Sequence, residues 1–363
     1  MSRFRVVTYN LLSQKLCRHE QYPKCAVEAC RPKERLALVK ERLCSHMREG
    51  SIICLQEVSR SWLGSLLPVF REEKYVCVHS LYGPSFNDYM GVAILVADHL
   101  DVRRVDVVRL SDWARWPRVD TPPPSWGETA LRWVGLGGAR PENLVARARR
   151  RYNTLIRVEV GEKEGSSLVV ATYHMPCDFR NELVMHLHSS AAVRAVQEWA
   201  NGTPWVLAGD FNLRPGSSSY RLLTTGSLGA VEEAAFLDSN PGLKADHLRV
   251  PQPARSAYAD VTSAEPAFTN HSYSERPGQP GNEFTGTLDY IFYAPPLVPT
   301  AVLPLPVSTA DLGGYLPSID EPSDHLLLGA DFEVPALEPA MEEQGKKEEE
   351  KEEKKEEKEK ETK

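Results

Sequence analysis

Long apolar runs, C-x-x-C pairs and internal repeats are all missing from this 363-residue sequence. Without a run of about 18 apolar residues, no segment reads as a membrane span. The opening Met1-Ser2-Arg3-Phe4-Arg5-Val6-Val7 has no apolar signal-peptide core and passes straight into strand-like sequence. Seven cysteines is an odd number, and the simplest reading is reduced thiols serving as small apolar residues. Cys17, Cys25 and Cys30 lie near His19 in sequence, but their spacing fits no common zinc module. A cytoplasmic or nuclear setting is therefore expected. There is no cationic excess either. The balance of 43 basic and 50 acidic residues gives −7, which excludes a generally cationic nucleic-acid binder but not a local basic cleft. Apolar residues are plentiful at 42%, enough for a large core and incompatible with wholesale disorder.

Much of the acidity sits at one end. Residues 342–363 hold 8 Lys and 11 Glu with no apolar face to bury. We expect 336–363 to be a disordered or solvated tail and 1–335 to be one folded domain. Within that domain, short β-branched and apolar runs alternate with amphipathic stretches. Strands are expected at Phe4–Leu11, Ile52–Val58, Tyr75–Ser80, Val92–Val96, Thr154–Val160, Leu168–His174, Trp205–Phe211, Leu288–Tyr293 and Leu326–Phe332. Pro32 opens a helix with Leu36, Val39, Leu43 and Met47 on one face. A second helix covers about Asn181–Ala200, and a third starts near Ser217, a good N-cap. Residues 101–151 look different. They carry four tryptophans, the run Pro122-Pro123-Pro124, and eleven arginines against six acids. We read them as a long surface insertion of the kind that serves as a lid or binding loop.

The chemistry lies in polar residues at strand ends. Asn10, Glu57 and His174 each close a strand-like run. Asp210 and Asn212 follow Val206-Leu207-Ala208-Gly209, Asp289 sits in Thr287-Leu288-Asp289-Tyr290, and Asp324-His325 begins the last strand. A carboxylate behind an apolar strand costs stability unless it is paired or binds metal. One such residue reads as a capped turn or an ion pair, whereas six strand ends delivering polar groups suggest one shared site. The set suits metal-assisted phosphoester hydrolysis. Hard oxygen ligands fit Mg²⁺ or Mn²⁺, a second carboxylate can orient or deprotonate water, and amides and histidines can donate to the charge that develops on phosphate.

Tyr9-Asn10-Leu11-Leu12-Ser13, Leu55-Gln56-Glu57-Val58, Gly209-Asp210-Phe211-Asn212, Leu288-Asp289-Tyr290-Ile291-Phe292-Tyr293 and Ser323-Asp324-His325 together resemble the endonuclease/exonuclease/phosphatase superfamily, in its order and over about residues 4–334. Gly209–Pro215, Pro266-Ala267-Phe268-Thr269-Asn270 and Glu321-Pro322-Ser323-Asp324-His325 are similar to the branch of carbon catabolite repressor type deadenylases, nocturnin and Angel. The Trp-Cys-Asp-Arg signature of inositol polyphosphate 5-phosphatases is missing. Two features depart from that branch. Tyr173-His174-Met175-Pro176-Cys177 differs from the usual Thr-His-Leu, and no leucine-rich-repeat docking module precedes the first motif.

The resemblance implies an α/β fold: a four-layer α/β sandwich of two packed, mostly antiparallel or mixed β-sheets flanked by helices, with the site at the top. It also implies roles. Glu57 is the main metal ligand, with Asn10 and Asp324 as further metal contacts. Asp210 orients the attacking water and is the first choice for the base. Asn212 and His174 bind the phosphate, and Asp289 holds His325, which acts on the phosphate or as an acid/base partner. Both one-metal and two-metal chemistry are compatible with this set. From the residues themselves, Arg147, Arg149, Arg150 and Arg151 either guide a phosphate backbone or form a solvated face. The expected activity is Mg²⁺-dependent phosphodiester hydrolysis of the 3′-exoribonuclease or deadenylase kind, on RNA or a nucleotide. The alternatives are hydrolysis of a small nucleotide, a 2′,5′-oligoadenylate or a phosphoinositide, or a catalytically dead binding scaffold.

Overall fold

Valine, isoleucine and leucine follow one another along the strands rather than alternating with polar residues, and such strands need cover on both faces. The computed structural model supplies it. It describes residues 2–116, 143–162, 166–276 and 278–334. The strands are β1 (Ser2–Asn10), β2 (Ile52–Val58), β3 (Tyr75–Leu81), β4 (Gly91–Ala97), β5 (Asp101–Arg109), β6 (Thr154–Gly161), β7 (Ser167–His174), β8 (Trp205–Asp210), β9 (Arg255–Ser256), β10 (Asn270–Ser274), β11 (Asn282–Gly286), β12 (Asp289–Tyr293), β13 (Val298–Val302) and β14 (Leu328–Val334). They form two six-stranded sheets, ordered β13-β14-β1-β2-β4-β3 and β5-β6-β7-β8-β12-β9, and a β10-β11 hairpin.

The sheets pack face to face through Val6, Ile52, Cys54 and Ile94 on one side and Ile156, Val158, Val170 and Val206 on the other. The alternate residues Val7, Tyr9, Ile53 and Leu55 face outward against Val39, Leu43 and Met47 of the helix Pro32–Arg48 and Trp62, Leu66 and Phe70 of the helix Arg60–Glu72. The second sheet buries Val169, Ala171 and Leu207 under Leu183, Leu187 and Ala191 of the helix Glu182–Ala200. Helix, sheet, sheet and helix make the four-layer sandwich.

Each sheet contains one parallel pair, β1–β2 and β7–β8, amid antiparallel neighbours. Parallel neighbours require a crossover, supplied by the helices Pro32–Arg48 and Glu182–Ala200. The carboxyl ends of β1 and β2 therefore point the same way, as do those of β7 and β8.

The structure adds a helix, Arg60–Glu72, in which the Ser59 cap and the buried Trp62, Leu63, Leu66 and Phe70 outweigh the internal Pro68. One sequence expectation needs correction. The stretch 101–151 is not wholly an irregular insertion. Residues 101–109 are edge strand β5, paired along β6, and Leu110, Val145 and Ala148 are buried in the second sheet's helix-facing core. The strand was obscured because an edge strand presents charges such as Arg103, Arg104 and Asp106 to solvent. Pro122–Pro124, Trp126 and Trp133, like the tail 336–363, lie outside the described residues. The described cysteines are all free thiols.

Candidate active site

The two parallel pairs deliver four side chains to one end of the sandwich: Asn10 from β1, Glu57 from β2, His174 from β7 and Asp210 from β8. Register adds a fifth. β12 runs antiparallel to β8 with Asp289 opposite Asp210, while His174 is the parallel partner of Asp210. Gly209 permits this approach, since a Cβ there would overlap the Tyr173 carbonyl. Glu57 lies at a register shift between β2 and β4 with φ of 55°, a bulge that re-aims its carboxylate. The Ser323-Asp324-His325 segment is tied in by the Ser323 hydroxyl, which donates to the Asn10 carbonyl at 2.6 Å.

Asp210 is the hub. Its Oδ2 accepts from Asn10 Nδ2 at 2.9 Å and faces His174 Nε2 at 3.5 Å and His325 Nε2 at 3.8 Å. Its Oδ1 accepts from the Asn212 backbone N–H at 2.9 Å. Asn10 is oriented by the Leu12 N–H, which donates to its Oδ1 at 2.9 Å, and its Nδ2 also reaches Glu57 Oε1 at 3.3 Å. The other Glu57 oxygen accepts from the Ser13 N–H at 3.0 Å. Asn212 Nδ2 donates to the Met175 carbonyl at 3.0 Å.

His325 Nδ1 lies 2.7 Å from Asp289 Oδ2, which also accepts from the Thr269 hydroxyl at 2.6 Å. Both partners are buried. Burial pushes the Asp289 carboxyl up to about 6 against the opposing pull of His325. Burial disfavours a charged His325, but Asp289, Asp324 and Asp210 together outweigh it and hold the ring protonated well above its ordinary range. With Nδ1–H fixed on Asp289, Nε2 is the nitrogen directed towards Asp210 and Asp324.

The donor set fits a hard divalent cation. The Asp210 and Asp289 carboxylates lie with the His325 ring within 4.8 Å of one another; the ring, held protonated, is no ligand, which leaves the carboxylate oxygens. Asp289 Oδ1 and Asp324 Oδ1 are buried without a hydrogen-bond partner. Glu57 is half-buried and takes one donor on each oxygen, leaving lone pairs open. Oxygen-rich sites of this kind suit Mg²⁺ or Mn²⁺ over softer metals.

All eight strand-end residues named from sequence—Asn10, Glu57, His174, Asp210, Asn212, Asp289, Asp324 and His325—thus gather in one place. The arginines divide. Arg147, in the short helix Leu144–Arg149, and Arg151, just past its end, both bind the buried Asp178: Arg147 Nε at 2.5 Å, Arg151 through a terminal nitrogen at 2.6 Å. Arg149 and Arg150 are exposed. Three further participants carried no sequence-derived role. Tyr82 OH meets His174 Nδ1 at 3.1 Å, Thr269 steadies Asp289, and Tyr22 OH donates to Asp324 Oδ2 at 3.1 Å. Thr269 sits inside a motif recognised for its resemblance, so a signal existed. Tyr22 and Tyr82 are loop and post-strand residues with no local pattern to mark them.

Fold and site define an α/β sandwich with an acid–amide–histidine centre at its strand ends. The profile of the Endonuclease/Exonuclease/phosphatase family matches residues 7–325, and the chain belongs to that family. It is 39% identical over 132 residues to carbon catabolite repressor protein 4 homolog 4 of Arabidopsis thaliana, covering 36% of this chain and 27% of that protein. It is 26% identical to Drosophila melanogaster nocturnin and 25% identical to Bos taurus 2′,5′-phosphodiesterase 12, in each case over 91% of this chain, but over only 46% and 51% of those proteins. The chain thus spans about half the length, or less, of these curated relatives. The fold is shared with ANGEL2, a 2′,3′-cyclic phosphatase solved with adenosine-2′,3′-vanadate (TM-score 0.68, 21% identity, 91% of this chain and 95% of that one). It is also shared with the human nocturnin catalytic domain (TM-score 0.58, 19% identity, 92% and 94%).

Proposed function

We propose that this protein is a Mg²⁺-dependent phosphodiester hydrolase of the 3′-exoribonuclease or deadenylase kind, acting by in-line attack of water. The observation that carries the reading is the Asp210 carboxylate facing one amide and two imidazoles, with the Asp289–His325 pair and Glu57 beside it. Asp210 orients the water and takes its proton. Protonated His325, fixed by Asp289, donates to a phosphate or leaving oxygen, and His174 and Asn212 donate to non-bridging oxygens. Glu57, Asn10 and Asp324 would hold the metal, which when bound neutralises phosphate charge. Arg149 and Arg150 would contact an RNA backbone.

A specific observation keeps a second substrate class in play. With Arg147 and Arg151 committed to Asp178, the basic track is shorter than the sequence suggested, which favours small substrates such as a 2′,5′-oligoadenylate; the relative named 2′,5′-phosphodiesterase 12 points the same way. The experiment is a Mg²⁺-dependent hydrolysis panel of poly(A), mixed RNA, single-stranded DNA, 2′,5′-oligoadenylate and soluble inositol phosphates. Preference for poly(A) or RNA with release of 5′-mononucleotides supports the exoribonuclease reading. Selective hydrolysis of the oligoadenylate or an inositol phosphate replaces it, and no hydrolysis of any substrate refutes the enzyme.

A further inference from the structure

Arg35 stands apart among the buried side chains. It comes from the first turn of the helix Pro32–Arg48 and is 1% exposed, yet among the described residues no carboxylate pairs with it. Its hydrogen bonds all go to main-chain carbonyls. Nε donates to Pro322 at 2.5 Å, and one terminal nitrogen donates to Leu11 at 2.7 Å and to Leu12 at 2.6 Å. The guanidinium lies over the Trp62 ring, 4.8 Å from its centroid. Leu11 and Leu12 directly follow Asn10, and Pro322 directly precedes Ser323-Asp324-His325. One planar group therefore ties together two segments from opposite ends of the chain, each of which carries residues of the site. Leu12 stands in the left-handed region with φ of 51°, and its N–H is the donor that orients Asn10 Oδ1; the bond from Arg35 to its carbonyl holds that turn. On the other segment, the Ser323 hydroxyl donates to the Asn10 carbonyl and accepts from the His325 N–H at 3.2 Å.

We infer that Arg35 is a positioning residue for the metal site: its guanidinium sets the spacing between Asn10 on one segment and Asp324 with His325 on the other. The inference rests on the metal-dependent reading proposed for that site. Burying a guanidinium with no carboxylate partner costs stability, and an apolar side chain of similar volume would avoid that cost. Such a side chain would not supply a rigid fork whose neighbouring donors reach two segments at once. Lysine carries the same charge on a single nitrogen at the end of a flexible stem. It can serve one segment, but it leaves a buried carbonyl of the other unpaired. Asn10 and Asp324 would then keep their own bonds to the Leu12 N–H and the Tyr22 hydroxyl, but the distance between them would be held less tightly. A cation that takes oxygens from both would meet a looser set.

The test uses Mn²⁺ alone as the probe and needs no hydrolytic activity. The ion is titrated into the full chain, and its free concentration is read from the sharp EPR signal of aqueous Mn²⁺. R35K should weaken Mn²⁺ binding by about 10–100-fold, the range for partners that orient metal ligands. Arg157 is also buried, but it binds the Ala195 carbonyl and Asp106 rather than either segment. R157K should lower the melting temperature without weakening Mn²⁺ binding, which separates loss of position from loss of stability. Wild-type affinity in R35K, or equal weakening in the two variants, overturns the inference. A wild type that binds no Mn²⁺ refutes the metal reading itself, and the inference with it. If R35K does not fold, hydrogen exchange of the wild type decides. Peptides covering residues 11–13 and 323–326 should exchange together, and opening of either one ahead of the other overturns the inference.

Discussion

Asp210 and Asp178 are both buried carboxylates that follow strands of the second sheet, and their surroundings differ in kind. Asp178 is enclosed by two guanidiniums and the Asn181 amide, which outweigh its burial and bring it down to about 2. Arginine does not release its proton, so that cluster is closed. Asp210 faces an amide and two imidazoles, groups that can orient a ligand or donate to it. A carboxylate locked by arginines holds structure together, while one facing histidines and amides retains capacity for a ligand. The contrast explains why one acid belongs to the proposed chemistry and its neighbour in the fold does not.

The sharpest way to break the comparison is at the open cluster. Glu57→Gln and Asp210→Asn should each reduce turnover to near background while leaving the melting temperature close to wild type, because both keep side-chain shape. Full activity of Glu57→Gln at ordinary Mg²⁺ would remove Glu57 from the metal site. Next comes Asp289→Asn, which presents an amide donor where His325 needs an acceptor. Turnover should fall on the order of 10²-fold, the scale of a general acid–base contribution, and wild-type kcat would show that the pair is not used.

The closed cluster should answer in stability instead. Asp178 has a folded-state value of about 2 against an ordinary 3.8, so its contribution is complete above about pH 4 and is lost as the pH falls towards 2. The shift corresponds to about 2 kcal/mol. Urea unfolding of Asp178→Ala across pH 2–7 should show a deficit of that size at neutrality that closes in acid. A deficit independent of pH would mean that packing, not charge, is what the arginines supply. The smallest effect concerns the exposed basic pair. Changing Arg149 and Arg150 together to Ser should lower the salt slope of single-strand RNA binding by about 1.4, at about 0.7 per contact, without altering hydrolysis of a dinucleotide. An unchanged slope would remove the backbone track and favour a small substrate.

Much of the site was legible because register does the positioning. Asn10, Glu57, His174, Asp210 and Asp289 each end or begin an apolar run, and pairing of β7, β8 and β12 leaves His174, Asp210 and Asp289 side by side. The arginines were legible as a basic run but not as partners of Asp178, since a helix-borne charge finds its counter-ion through tertiary packing that no spacing announces. Strand β5 was hidden for a related reason: an edge strand has one row of backbone groups unpaired and side chains in water, so its sequence is read as loop. The hairpin of Asn270–Ser274 with Asn282–Gly286 pairs strands of mostly polar sequence that carry no apolar alternation to mark them, although Thr269, just before it, lies within Pro266-Ala267-Phe268-Thr269-Asn270.

Glu57 and Asn212 stand in left-handed backbone conformations, with φ of 55° and 50°, where glycine would be more comfortable by about 1 kcal/mol or more. At both positions fitness for folding and fitness for the proposed chemistry pull in opposite directions. A duplicated copy relieved of selection on turnover should therefore drift to glycine first at 57 and 212, gaining robustness as it gives up the metal and phosphate contacts proposed for those positions. Those two positions would then date the loss of activity in a lineage before any visible change in its fold.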